Sequence, residues 1–360
     1  MAGGSGSVSI LDFIDPARHK AILDGTTTHD ATMEIQSAID SGENLLFPGS
    51  RASKYIVDGQ LRMSQSYQRL FSNGWVRLDL RGSNPAANAI ELLSTRRDSG
   101  AREVTREAQA LEGFRLTGPR SASYASLVFV EEGTFSPSIQ RIISSAGTNR
   151  GYFGELNDSF IRINGNERSY VNDVTIRDCL ISGLENERNR GFPPCGIWIE
   201  GCIEGRLENT KVFYFDECMR LGDAEGLTRN VQHMVFDQVQ LEPTKPSNVT
   251  DNQASLNIYT ASACTFRDCR FDPGNGPGSE NSVAVRVSNG GLGARQVRFR
   301  DCSFQGMRHA RHLCQVLPGA VVVDMMFSGG DIRSFKEGLV LDESGHAQIV
   351  FQSDIFIDLS

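Results

Sequence analysis

Thr175–Ile181 reads TIRDCLI, Thr265–Phe271 reads TFRDCRF and Arg298–Phe304 reads RFRDCSF. The shared order is an apolar residue, two polar ones, a small or sulfur residue, a spacer and a second apolar residue. Looser copies fit the same frame at Leu207/Thr210/Val212, Phe236/Val239/Leu241, Phe327/Gly330/Ile332 and Phe351/Asp354/Phe356. The first apolar positions are 176, 207, 236, 266, 299, 327 and 351, so the phrase returns every 24 to 33 residues. A period of about thirty residues is the mark of a stacked repeat.

Each repeat carries a second short apolar run: Gly196–Ile199, Met219–Leu221, Leu256–Ile258, Val283–Val287, Leu313–Val316 and Leu339–Leu341. Alternation in short β-branched or aromatic runs argues strands. No run from 171 to 360 keeps a helical period, which excludes the helical repeat classes. Two or three short strands per repeat predict an all-β chain, a right-handed parallel β-helix in which each coil buries its apolar side against its neighbours. Seven coils at about 4.8 Å each span roughly 35 Å. Weaker coils are expected before residue 171, at Trp75–Leu80, Leu111–Leu116, Leu127–Val130 and Ile139–Ile143, with 96–109 as a loop excursion or short helix.

All eight cysteines fall between 179 and 314. Cys179, Cys269 and Cys302 share one repeat position, so they are expected to form an inward, reduced ladder. The 360 residues include 36 basic and 44 acidic side chains, a net charge of -8. That balance disfavours nucleic-acid binding, which wants a basic stripe. No apolar run approaches membrane-spanning length, and Met1–Ser7 lacks the basic and apolar parts of a signal peptide. Folding in a cytoplasm is therefore expected.

The chain divides on reading into 1–62, an entry strand at Val8–Phe13, a capping helix and the first coil, and 63–360, the β-helix itself, the two forming one continuous unit. Asp30 is placed as the helix N-cap, Ile35, Ala38 and Ile39 as its apolar stripe, and Gly42 just past its end. Such a helix covers the open edge of the first coil. At the other end, the coil Ile349–Ile357 has no cap in the sequence, and a partner chain or self-contact is expected to cover it.

The ordered set Ser9–Phe13, Ile22–Asp30, Ile35–Asp40, Phe47–Pro48–Gly49 and Tyr55–Val57 resembles the start of bacteriophage tailspike and tail-fibre proteins, a group with a pectate-lyase-like β-helix. The match covers about the first 60 residues; later coils match in style alone. The resemblance implies a virion protein, usually a homotrimer held among other tail proteins, that engages a bacterial surface polysaccharide with or without cleaving it. A non-catalytic fibre or decoration component of the virion is the alternative, and a free polysaccharide-processing enzyme a third.

Long insertions in a solenoid collect on its binding face. The links between the two strands of successive repeats run 181–197, 212–219 and 241–256, so a short link sits between two long ones. This predicts a notch with Tyr214, Asp216 and Glu217 on its floor. Glu185, Glu187, Arg188 and Arg190 would form one wall and the segment starting at Glu242 the other. Asp216, Glu217 and Glu187 are the candidate catalytic carboxylates, and Tyr214, Glu185, Arg188, Arg190 and Glu242 the candidate sugar contacts. Two carboxyl groups, one protonated and one ionised, hydrolyse glycosidic bonds, although most exposed carboxylates are simply solvated. His309, His312 and Cys314 have a zinc-like spacing, but one is on a strand and no metal is expected. Gly290–Gly293 is a turn rather than a phosphate loop, and no cofactor is expected.

Overall fold

The frame quoted above is a corner. In a computed structural model, which describes residues 6–93, 106–144, 155–165, 170–183, 195–223, 230–243, 253–273, 281–306 and 309–359, Asp178, Asp268 and Asp301 all adopt positive φ, at 57°, 51° and 54°. Asn209 and Gln238 do the same at the same place in the intervening coils. Asp and Asn tolerate the left-handed region because their short polar side chains bond locally. Here the Asn209 side-chain amide donates to Asp178 Oδ1 at 2.7 Å, linking one corner to the next. The bend turns the chain between two strands and aims the following residue inward.

Three parallel sheets result. The first runs through Ser7–Ser9, Asn44–Leu46, Arg69–Phe71, Val171–Arg177, Cys202–Glu208 and Val231–Asp237 to Ile349–Phe351. The second starts with Lys54–Val57, Arg77–Leu80 and Arg115–Thr117. After Ile143, which bridges Arg115 to Leu180, it continues as seven strands from Leu180–Ser182 to Phe356–Asp358. The third stacks ten strands from Leu61–Met63 to Gly338–Asp342. Each coil runs from the first sheet to the second to the third, and every strand pair described is parallel, for example Ile176↔Leu207, Leu207↔Phe236 and Phe236↔Phe266. Ten strands give a stack about 43 Å long. The chain is thus the parallel β-helix that its repeat predicts.

Register makes ladders of like residues. Phe236, Phe266, Phe299, Phe327 and Phe351 stack ring on ring, with centroids 4.3 to 4.9 Å apart and planes within 13° of parallel. Phe271 and Phe304 form a second stack, edge-on to the first. All eight cysteines are free and buried. Cys179, Cys269 and Cys302 repeat one geometry, each thiol donating at 3.3 Å to the carbonyl two residues earlier. Thr210 and Val239 fill the same buried position in between. Burial pushes the Cys179 thiol up to about 12, so it stays protonated.

The first end is capped as expected, with differences. The entry strand is only Ser7–Ser9; Ile10–Phe13 is a 3-10 helix, since the Ser9 hydroxyl accepts from Leu11 N. A helix not anticipated from sequence, α1 (Pro16–Leu23), follows, with Asp15 as its N-cap and Pro16 opening it. Helix α2 (Thr32–Asp40) buries Ile35, Ala38 and Ile39. Asp30 lies one residue before its N-cap, Ala31, and its Oδ1 accepts from Thr32 N and Asp58 N, each at 3.1 Å, tying the helix to the coil beneath. At the other end the last coil leaves Val350, Phe356 and Ile357 exposed. In the weaker coils, Arg106–Glu107 is a short strand of the first sheet rather than loop or helix. Among the described residues no helix is long and apolar enough to cross a membrane.

Candidate functional site at the corner of the second and third sheets

Lys211–Phe213 and Glu217–Leu221 are separated by three residues, and these make the floor expected from the short link. Tyr214 sits at φ 63°, is 36% exposed, and donates its backbone N–H to Glu242 O at 3.0 Å. Phe215 turns inward and is fully buried. Asp216 follows at the mouth of the corner, where its carbonyl accepts from Ala254 N at 3.2 Å. Register places Glu242 directly beside Phe213 on the next coil.

The carboxylates meet different fates. Asp216 is bonded to the Gln253 side chain, yet its Oδ1 is buried with no hydrogen bond among the described residues. Burial, opposed by the Gln253 bond and reinforced by the charge of Glu217, raises its pKa to about 6. Glu217 is instead fully engaged. Its Oε2 accepts from Arg220 Nε and its Oε1 from Asn257 Nδ2, both at 2.6 Å. Arg220 lies 4.8 Å from the centre of the Trp198 ring, and Arg162 flanks the same ring at 4.4 Å. Arg162 in turn is bound to Glu200 at 2.9 Å and Asp158 at 2.5 Å. Glu217 therefore belongs to a row of paired charges on the outer face of the third sheet.

One carboxylate at this corner escaped the sequence reading. Asp272 donates its backbone N–H to Leu241 O at 3.0 Å and lies beside Glu242. Its Oδ2 accepts from Arg270 Nε at 2.7 Å, while Oδ1 is buried with no hydrogen bond among the described residues. Burial, partly offset by Arg270 and reinforced by Glu242, raises its pKa to about 6. The signal was present: Asp272 follows Phe271 as Glu242 follows Leu241 in the shared frame. The Ser282 hydroxyl, at the return into the third sheet, is a further buried polar group with no hydrogen bond among the described residues. The structure thus brings together Tyr214, Asp216, Glu217 and Glu242. Glu185, Glu187, Arg188 and Arg190 lie outside the described residues.

His312 Nε2 lies 3.4 Å from Glu337 Oε2, whereas Cys314 is buried in the stack. No group of three potential metal ligands occurs among the described residues.

The raised pKa of Asp216 has a stability consequence. The folded state holds this proton up to about pH 6, whereas a free aspartate carboxyl loses it near pH 3.8. The stabilisation is present below the unfolded value and is lost as pH rises through 6. Asp216→Asn, fixed in the neutral form, is expected to be more stable than wild type at pH 7.5 by about 1 to 2 kcal/mol, with the difference gone by about pH 4. Denaturant unfolding at several pH values checks this; an unchanged or lower stability at pH 7.5 refutes it.

No family model and no curated protein matches this chain. Solved structures do. The enzymatically active domain of tailspike protein 2 of bacteriophage CBA120 superposes with a TM-score of 0.58 at 10% identity, over 98% of this chain and 46% of that one. The tailspike protein of Acinetobacter phage vB_ApiP_P1 gives 0.60 at 8% identity, over 98% and 60%. PfbA, a surface adhesin of Streptococcus pneumoniae, gives 0.61 at 12% identity, over 98% and 92%. The chain spans about half the length of the tailspike chains it matches. At these identities the likeness is one of fold.

Proposed function

We propose that this chain is the β-helical body of a tailspike-like virion protein that holds a bacterial surface polysaccharide at the corner of Tyr214, Asp216, Glu242 and Asp272. One observation carries the reading. Asp216 and Asp272 each present a buried carboxyl oxygen with no hydrogen bond among the described residues, on coils of one corner. Buried polar atoms are nearly always satisfied, so two such carboxyl oxygens on one corner ask for a partner. Sugar hydroxyls supply donors of the right kind, and the Tyr214 ring offers a face for a pyranose. A carboxyl group whose pKa is raised to about 6 is also suited to protonate a glycosidic oxygen, with a second carboxylate as base or nucleophile. In this reading Asp216 is the acid, and the protein works as a homotrimer mounted on other tail proteins.

A non-catalytic virion fibre is favoured by a different observation: Glu217, the sequence neighbour of Asp216, is consumed by Arg220 and Asn257. Incubation with capsular and lipopolysaccharide preparations from a bacterial panel separates the two, following binding and new reducing or unsaturated ends. Cleavage that Asp216→Asn abolishes supports the acid role. Binding without cleavage supports a glycan-holding fibre. Neither, on a panel containing the host, removes the polysaccharide reading.

A further inference from the structure

A second corner, where the third sheet passes into the first, carries two exposed aromatic rings. Tyr67 is 63% exposed and Phe135 is 44% exposed. They stand on alternate coils. Tyr67 N donates to Glu107 O at 2.6 Å, Ala108 N to Phe135 O at 2.8 Å, and Ser136 N to Asn172 O at 2.8 Å, so the four coils follow in order. Two coil steps set their backbones about 9.6 Å apart along the axis. The coil between them contributes Glu107, whose carboxylate accepts from the Tyr67 hydroxyl. Asp173, held by the Ser136 hydroxyl at 3.0 Å, and Glu204 continue the corner on later coils.

The backbone here is constrained. Tyr67, Ala108, Ser136 and Asp173 have φ of 60°, 53°, 51° and 52°. The same left-handed turn recurs at this corner in later coils, at Glu204, His233, Ala263, Gln296 and Asp324, so the coil geometry itself fixes where the two aromatic residues stand. Nothing in the packing needs Tyr67, because its ring is mostly in solvent. We infer that this corner is a second glycan-binding edge, in which Tyr67 and Phe135 stack on sugar rings of one neutral chain and Glu107 accepts a hydroxyl between them. The neutral class follows from charge. Glu107, Asp173 and Glu204 would repel an acidic polysaccharide but accept hydrogen bonds from uncharged hydroxyls. Aromatic rings exposed on a soluble surface are interaction sites by their chemistry, apolar on the face and, in Tyr, polar at the tip.

This edge rests on the reading that the protein engages glycans, yet it is separate from the corner at Asp216, and the test keeps them apart. The capsular and lipopolysaccharide preparations, sorted into neutral and acidic polymers, are set in native gels, and retardation of the full chain is measured. A neutral polymer is expected to retard the wild type. The double variant Tyr67→Ala/Phe135→Ala should bind it about tenfold more weakly or worse. Tyr67→Phe, which keeps the ring, should stay near wild type. Unchanged thermal unfolding of the double variant confirms that the loss is local. Equal retardation of the double variant and wild type overturns this edge and leaves the Asp216 corner standing. So does retardation by acidic polymers alone. No retardation of the wild type by any polymer overturns both.

Discussion

Cys269→Asp is expected to abolish folding. The thiol lies between two carbonyl oxygens, at 3.4 Å from Phe236 O and 3.3 Å from Arg267 O, with Cys302 in the next coil at the same position. A carboxylate there meets acceptors on both sides and no cation, and a buried charge without a partner costs several kcal/mol or more. The damage also propagates, because each coil is stable only against its neighbours. Insoluble protein, or soluble protein without cooperative unfolding, is the expected result. Cys269→Val is the control. Val239 already fills this position one coil earlier, so that change should cost less than about 1.5 kcal/mol. A soluble Cys269→Asp variant that unfolds like wild type would refute the inward ladder.

The second large effect is on Glu217. Glu217→Ala leaves Arg220 beside Trp198 without the carboxylate that binds it, and leaves the Asn257 amide without its acceptor. Breaking a largely buried ion pair from one side costs about 3 kcal/mol. Denaturant unfolding should show that loss, with Glu217→Gln intermediate because it retains an acceptor for Asn257. Removing Arg220 as well should recover part of it, since the stranded charge is then gone. If Glu217→Ala instead unfolds like wild type, the pair is solvated and the residue returns to the functional candidates.

The contrast between Asp216 and Glu217 shows where sequence reading stops. The floor of the corner was legible from link lengths, because a short connection between two strands of one coil leaves little choice of path. The destination of each side chain was not. Whether Glu217 reaches solvent or Arg220 depends on a partner three residues on and on Asn257 in the next coil, and no local pattern encodes that. Asp272 was not legible for a related reason: its burial and its partners, Arg270 and Glu242 of the neighbouring coil, are set by the stack and by no local pattern.

The coils from 171 to 304 were legible because Asp, Asn or Gln occupies the left-handed corner and Cys, Thr or Val follows it inward. Earlier coils hide the same frame. Gly113 and Arg141 hold the corner at φ 80° and 53°, and Phe114 and Ile142 follow them inward. Leu111–Leu116 and Ile139–Ile143 therefore look like isolated strands until the corner is recognised. Helix α1 was not legible, because Pro16–Leu23 buries only Ile22 and carries no apolar stripe.

The buried thiols give the molecule a built-in chronometer. Eight cysteines, free, buried and spread over four coils between 179 and 314, are silent to alkylating reagents while the stack is closed. Each becomes reactive only when its own coil opens. The order in which they are modified under mild denaturation is therefore a record, written residue by residue, of whether the rod opens coil by coil or as one block.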